Sequence, residues 1–270
     1  MITPRARLFA VILGGFLVGS FTATASPAAG KNGWDELIML DSAGARKIFA
    51  RTQDRESRYG QALAQINLQP RTAANLTAAR SAFTALIAAN PADDIGIAAA
   101  YYLVRLRQID ESDAEPQALI HAYQALLQAH PGHPIAELAA PKLAILLLYD
   151  AGDASTWAQR VAAVEALLPG LQSTAARRDT RLVLADALLK LHRDHARAFP
   201  LLDYCLRANL IARPPRLGAL LLQAAESARL LHLTPEAIHY YRRYLAEYPR
   251  EAKADEIKRR LAALATEGRL

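Results

Sequence analysis

The chain has 270 residues, 52% of them apolar and 21% charged, with a formal net charge of +6 and a single cysteine, Cys205. One thiol excludes an intramolecular disulfide framework, so a hydrophobic core must supply the stability, and an apolar half is enough to build one. The mild basicity comes without a lysine or arginine block, which argues against nucleic-acid binding and only weakly for an acidic partner.

Met1 to Ala25 has the layout of a secretory signal. Arg5 and Arg7 stand without an acid, an apolar run follows from Leu8 to Val18, and Ala23-Thr24-Ala25 is a small-x-small cleavage site. Cleavage after Ala25 leaves residues 26–270 and, with Arg5 and Arg7 gone, lowers the charge from +6 to +4. The alternative is an uncleaved anchor with the rest of the chain outside the cytoplasm. Either way, export with one cysteine predicts a periplasmic or otherwise exported domain.

Residues 26–33, with Pro27, Gly30 and Gly33, read as a flexible linker. A single domain is predicted over 34–270, with N-terminal helices in 34–75, repeats in 76–251 and a capping helix in 252–270. Trp34, Leu37, Ile38 and Leu40, then Ala45, Ile48 and Phe49, then Tyr59, Leu63, Ile66 and Leu68, are apolar stripes at helical spacing. Arg51 to Arg58 reads as a solvated face. A helix from Leu76 to Ala89 is closed by Pro91, and another follows over Ala92 to Arg107.

This stretch then recurs. Ser81 to Leu106, shifted by forty residues, matches His121 to Leu146 with ten identities, Ala85, Leu86 and Pro91 falling on Ala125, Leu126 and Pro131 among them. Phe83 over Tyr123 preserves the ring as well, which marks a helical repeat. Gln117 to Ala129 and Ile135 to Tyr149 form the copy, with Pro141 demanding a kink or a late start in the second helix. Helices are further predicted over Trp157 to Leu168, Asp179 to Leu191 and His195 to Ala208. Pro214 and Pro215 punctuate the chain before Leu217 to Leu231, which pairs with Ala237 to Tyr248. There Thr234 is the expected N-cap, with Pro235 at the first helical position. Ala252 to Ala265, rich in Lys253, Lys258, Arg259 and Arg260, reads as a solubilising cap. No stretch reads as strand, so the class is all-α.

Ala79, Phe83, Leu86 and Pro91 share a spacing with Leu119, Tyr123, Leu126 and Pro131, and with Ala237, Tyr241, Tyr244 and Pro249. This pattern resembles the second helix of the tetratricopeptide repeat. The resemblance covers roughly Leu76 to Leu261 in diverged form, with proline spacings of 40 and 38 residues against the family's roughly 34. The longer period calls for inserted loops between units, Ile109 to Pro116 among them. The resemblance implies a right-handed α-solenoid of antiparallel helix pairs, about a dozen helices in all, with Phe83, Tyr123, Val161, Leu202 and Tyr241 buried. Ala99 to Leu103 and the Tyr-x7-Pro endings also look like repeats in periplasmic proteins of the Tol-Pal and outer-membrane assembly systems.

Catalytic motifs are missing: there is no His-Glu-x-x-His, Gly-x-Ser-x-Gly, phosphate loop or dinucleotide fingerprint. The pairs His130/His133 and His192/His195 sit at predicted turns without other ligands at metal spacing. Cys205 reads as a buried thiol, Asp93-Asp94 as a cap, and Glu137 alone is too little for the acid of a cell-wall lyase. No catalytic residue, cofactor or metal is therefore expected. The resemblance instead implies a protein- or peptide-binding scaffold. Its first-helix positions, counted from the prolines, give Ala98, Tyr102 and Arg105, Lys142, Leu146 and Tyr149, Val183, Ala187 and Lys190, then Leu222, Glu226 and Arg229. Tyr102, Arg105, Lys142, Tyr149, Lys190 and Arg229 become the partner-binding set, cationic and aromatic and suited to an acidic extended peptide. The alternatives are an assembly subunit docking through the N-terminal helices around Trp34, and an enzyme with an unrecognised site.

Overall fold

A computed structural model describes residues 32–110, 115–150, 156–212 and 214–267. The predicted signal, the linker through 31 and the core of the loop expected over Ile109 to Pro116 lie outside the described residues. The contacts divide the chain into two compact units, Met1–Asp113 and Ala114–Leu270. Among the described residues each unit is all-α, a stack of antiparallel helices in which sequence neighbours pack on one another.

The first unit holds α1 (Gly33–Ile38), α2 (Ser42–Phe49), α3 (Arg55–Asn67), α4 (Ala73–Ala89) and α5 (Asp94–Asp110). Gly33 opens α1 and is buried, so the first helix begins one residue before the expected Trp34. The reason is packing: a Cβ on Gly33 or Gly60 would stand 2.7 or 2.5 Å from the Phe49 ring, which lies in the slot these two glycines leave. Rings then follow one another through the core. Trp34 meets Phe49 at 4.9 Å and Tyr59 at 5.9 Å, Tyr59 meets Phe83 at 6.3 Å, and Phe83 stacks on Tyr102 at 5.8 Å.

Within 51–58, read as a solvated patch, Arg55 has a structural task. Its guanidinium makes a forked pair with Asp93 at 3.0 and 2.8 Å and reaches the Asn90 carbonyl at 2.7 Å. Asp93 in turn accepts from the Gly96 N–H at 2.7 Å and so caps α5, as expected of it. The start of α3 is thereby fixed to the start of α5, which packs on α3 as well as on α4.

The second unit holds α6 (Pro116–Ala129), α7 (Ala139–Ile145), α8 (Trp157–Leu167), α9 (Thr174–Ala187), α10 (His195–Arg207), α11 (Pro214–Leu230), α12 (Thr234–Glu247) and α13 (Ala254–Glu267). Pro141 produces the late start: a 3-10 turn over Ala136–Leu138 precedes α7, and the proline falls in the first turn, where its missing N–H costs no ladder bond. α7 and α9 both end in a π turn, over Leu146–Asp150 and Leu188–His192. Of the boundaries that differ from expectation, three have a visible cause at the helix start. α9 starts at Thr174 because Ser173 caps it; Pro214 and Pro215 open α11 and do not interrupt it; and the N-cap of α12 is Leu233, with Thr234 the first helical residue.

Phe83, Tyr123 and Val161 are fully buried and Leu202 and Tyr241 are 1% exposed, so the repeat's ring and notch positions are core. Partners in the polar contacts between helices recur at repeat distance. The carboxylate of Glu137, itself 1% exposed, accepts the backbone N–H groups of Gln172 at 2.7 Å and Ser173 at 2.6 Å. Tyr240 donates to Asp203, and Arg243 donates to the Leu206 carbonyl at 2.9 Å, each pair spanning 37 residues. A packing unit of that length explains why one helix pair satisfies polar groups of the next.

Candidate functional site

Four of the six residues singled out for partner binding lie in the second unit, and three of them belong to two polar clusters. In the first cluster, the Tyr149 hydroxyl, in the π turn after α7, donates to Asp186 Oδ2 at 2.9 Å, while Lys190 Nζ pairs with Asp186 Oδ1 at 2.9 Å. Burial pushes the Tyr149 hydroxyl above its ordinary value, and the adjacent Asp186 charge adds to the effect. The π turns matter to this arrangement. Each inserts one residue beyond the α register, which re-aims Tyr149 and Lys190 at the ends of two neighbouring helices. On the same π turn as Lys190, His192 stacks on Trp157 at 4.2 Å.

The second cluster is built on Glu226 of α11. Arg229 donates from Nε at 3.1 Å and Nη2 at 2.6 Å, Arg260 of α13 from Nη1 at 2.6 Å, and the Tyr241 hydroxyl at 2.8 Å. Arg260 also gives Nη2 to Glu256, one turn back on α13, at 2.7 Å. The Arg229 fork above all, with Tyr241 and Arg260, draws the Glu226 carboxyl down to about 2. Beside this cluster a cavity of about 500 Å³ opens, lined by Arg229, His232, Thr234, Arg260, Ala263 and Leu264.

Lys142, half-buried in α7, also belongs to the second unit. Tyr102 and Arg105 belong to the first, where Tyr102 is half-buried against Phe83 and Arg105 bonds Gln108. Burial raises the Tyr102 hydroxyl well above the tyrosine range. Two positions counted into the groove, Ala98 and Ala187, are completely buried, and Leu146 is 3% exposed. They are packing positions: at these points the helix face counted from the prolines turns toward a neighbouring helix.

Sequence reasoning missed Asp186 and Arg260. Asp186 lies four residues before Lys190, and that spacing was the available signal. Arg260 was read as part of a solubilising face, yet it joins α13 to α11. Its partner Glu226 sits 34 residues away, so no local pattern announces it.

Other reactive side chains are occupied structurally. Burial pushes the Cys205 thiol up to about 11, and its sulfur lies 3.9 Å from the Arg178 carbonyl oxygen. His195 Nδ1 lies 3.0 Å from the Ser227 hydroxyl, but Ser227 is fully buried, which closes that pair to a substrate. Glu137 is committed to two backbone amides. Among the described residues there is no group of three or more His, Cys, Asp or Glu side chains placed to hold a metal ion.

No family model matches this chain, and no curated protein does. Among solved structures, a thermophilic tetratricopeptide-repeat protein of Thermus thermophilus is similar, at 14% identity, over 79% of this chain and all of its own, with a TM-score of 0.44.

Proposed function

We propose that the protein is a non-enzymatic scaffold of the cell envelope that binds an extended, acidic segment of a partner protein. The observation that carries this reading is the pair of ordered clusters, Tyr149–Asp186–Lys190 and Glu226–Arg229–Arg260, in the unit built from α6 to α13. Cationic and aromatic side chains held in place by their own carboxylates lose little rotamer freedom on binding, which favours affinity per contact. In the second cluster, guanidinium N–H groups beyond those given to Glu226 and Glu256 suit a partner carboxylate. Export rests on the N-terminal sequence pattern, with cleavage after Ala25. Mass spectrometry of native material beginning at Ser26 is the expected result, and protein beginning at Met1 would favour the anchor.

The test of binding uses an array of extended Asp/Glu-rich peptides with Lys/Arg-rich controls. The wild type is expected to prefer the acidic set, with affinity falling as salt rises. Replacing Arg105, Lys142 and Arg229 by alanine should weaken binding and flatten the salt dependence while the helices persist by circular dichroism. Equal binding by the triple variant would place the docking surface elsewhere.

A further inference from the structure

The turn between α1 and α2 exposes three consecutive apolar side chains: Ile38 at 57%, Met39 at 77% and Leu40 at 76%. Single exposed apolar residues are ordinary on a protein surface, but three in a row at a tight turn form a projecting apolar tip. The backbone beneath the tip is strained. Leu40 has φ +65°, in a helix-ending turn where the Asp41 N–H returns to the Glu36 carbonyl at 2.8 Å. That position is usually glycine, because a bulky side chain in the left-handed region is disfavoured. The residues next to the tip in sequence are acidic, Asp35, Glu36 and Asp41, with the cations Arg46 and Lys47 farther along α2.

The complement is present on the same chain. The cavity beside Glu226 is lined by the apolar Ala263 and Leu264 together with Arg229, Arg260, His232 and Thr234. Glu226 and Glu256 take bonds from these arginines, yet neither carboxylate lines the cavity, so its wall presents two guanidiniums and no acid. The turn that borders the cavity repeats the geometry of the tip, with His232 at φ +57° and the Leu233 N–H returning to the Ala228 carbonyl at 2.9 Å. It adds exposed Leu230 and Leu233, at 45% and 37%.

We propose that the chain associates with a second copy of itself head to tail, the acid-rimmed tip at Ile38, Met39 and Leu40 of one copy seating in the basic-rimmed cavity between α11, α12 and α13 of the next. Apolar meets apolar at the centre and opposite charges meet at the rim, the arrangement that gives both burial and register. The contact is heterologous, since each copy contributes a different surface, and so it extends into chains or closes into rings. This inference goes beyond the peptide-binding reading and stands without it.

Sedimentation velocity on the purified chain, from micromolar to millimolar concentration, tests it. The wild type should gain mass with concentration and lose it as salt is raised. Three variants locate the surfaces. Ile38→Ser with Leu40→Gly removes the tip while relieving the positive φ, so the fold persists. Asp35→Lys reverses an exposed rim charge. Leu230→Ser with His232→Asp alters the cavity side and leaves Arg229 in place. Each should weaken association at least about tenfold, a shift read directly in the concentration dependence. An equimolar mixture of the tip and cavity variants should recover a single 1:1 complex, because one intact tip then meets one intact cavity. A wild type that stays monomeric at millimolar concentration, a tip or rim variant that associates like the wild type, or a mixture that recovers nothing would each overturn the proposal.

Discussion

The first unit and the second unit solve the same packing problem with the same materials in different proportions. From α1 to α5 rings follow one another through the core, Trp34 to Phe49 and Tyr59, then Phe83, then Tyr102, with the carboxylate joints Asp93 on Arg55 and Asp110 on Arg80 at the helix ends. From α6 to α13 the joints between helices are carboxylates taken up a repeat away, Glu137 on Gln172 and Ser173, Asp186 on Tyr149, Asp203 on Tyr240 and Glu226 on Arg260. Ring packing depends on area and tolerates small slips, whereas a carboxylate on two amides fixes one geometry. The second unit also holds four of the six candidate binding residues, Lys142, Tyr149, Lys190 and Arg229.

Variants should separate the two. Truncating Phe83 to alanine deletes a fully buried ring from the chain of aromatics and should cost about 3 to 5 kcal/mol by denaturant melts. Glu137→Ala removes the acceptor of two part-buried backbone amides and should cost about 1 to 3 kcal/mol; at the surface pair Lys190–Asp186 the same truncation of Lys190 should cost under about 0.5 kcal/mol. Acid should test the Glu226 cluster of the second unit. The folded-state value of Glu226 lies near 2, below its ordinary 4.5, so its contribution is complete above about pH 4.5 and is lost as pH falls toward 2. Because that side chain is 33% exposed, the contribution should be about 1 kcal/mol, and a Glu226→Gln variant should lose that part of the acid dependence. Smallest of all, Leu40→Gly should leave the melting temperature unchanged or raise stability by up to about 1 kcal/mol, since it removes a positive-φ leucine.

Much of the helix pattern was legible because prolines and apolar spacing act locally. Pro91 and Pro131 stop helices through a missing donor, and Phe83 and Tyr123 repeat with the core they fill. Where expectation and structure part, the deciding interaction was a neighbour that spacing does not reveal. Gly33 belongs to α1 because Phe49, sixteen residues on, needs its missing side chain. α9 starts early because Ser173 caps it and the buried Glu137 holds the Ser173 amide. The candidate set was partly legible: counting from the prolines reaches Tyr149, Lys190, Arg229 and the carboxylate Glu226, but it does not reach Asp186, and it takes in Ala98 and Ala187, which are core.

The distinction between the units is tested most directly by native-state amide hydrogen exchange on the wild type and Glu137→Ala. The amides of Gln172, Ser173 and the first turn of α9 should lose protection by roughly ten- to a hundredfold, in line with a local loss of about 1.4 to 2.8 kcal/mol, while α3, α4 and α5 exchange as before. Equal loss of protection in α3 to α5, or no change at α9, would contradict the claim that the buried Glu137 carboxylate sets the joint at the start of α9.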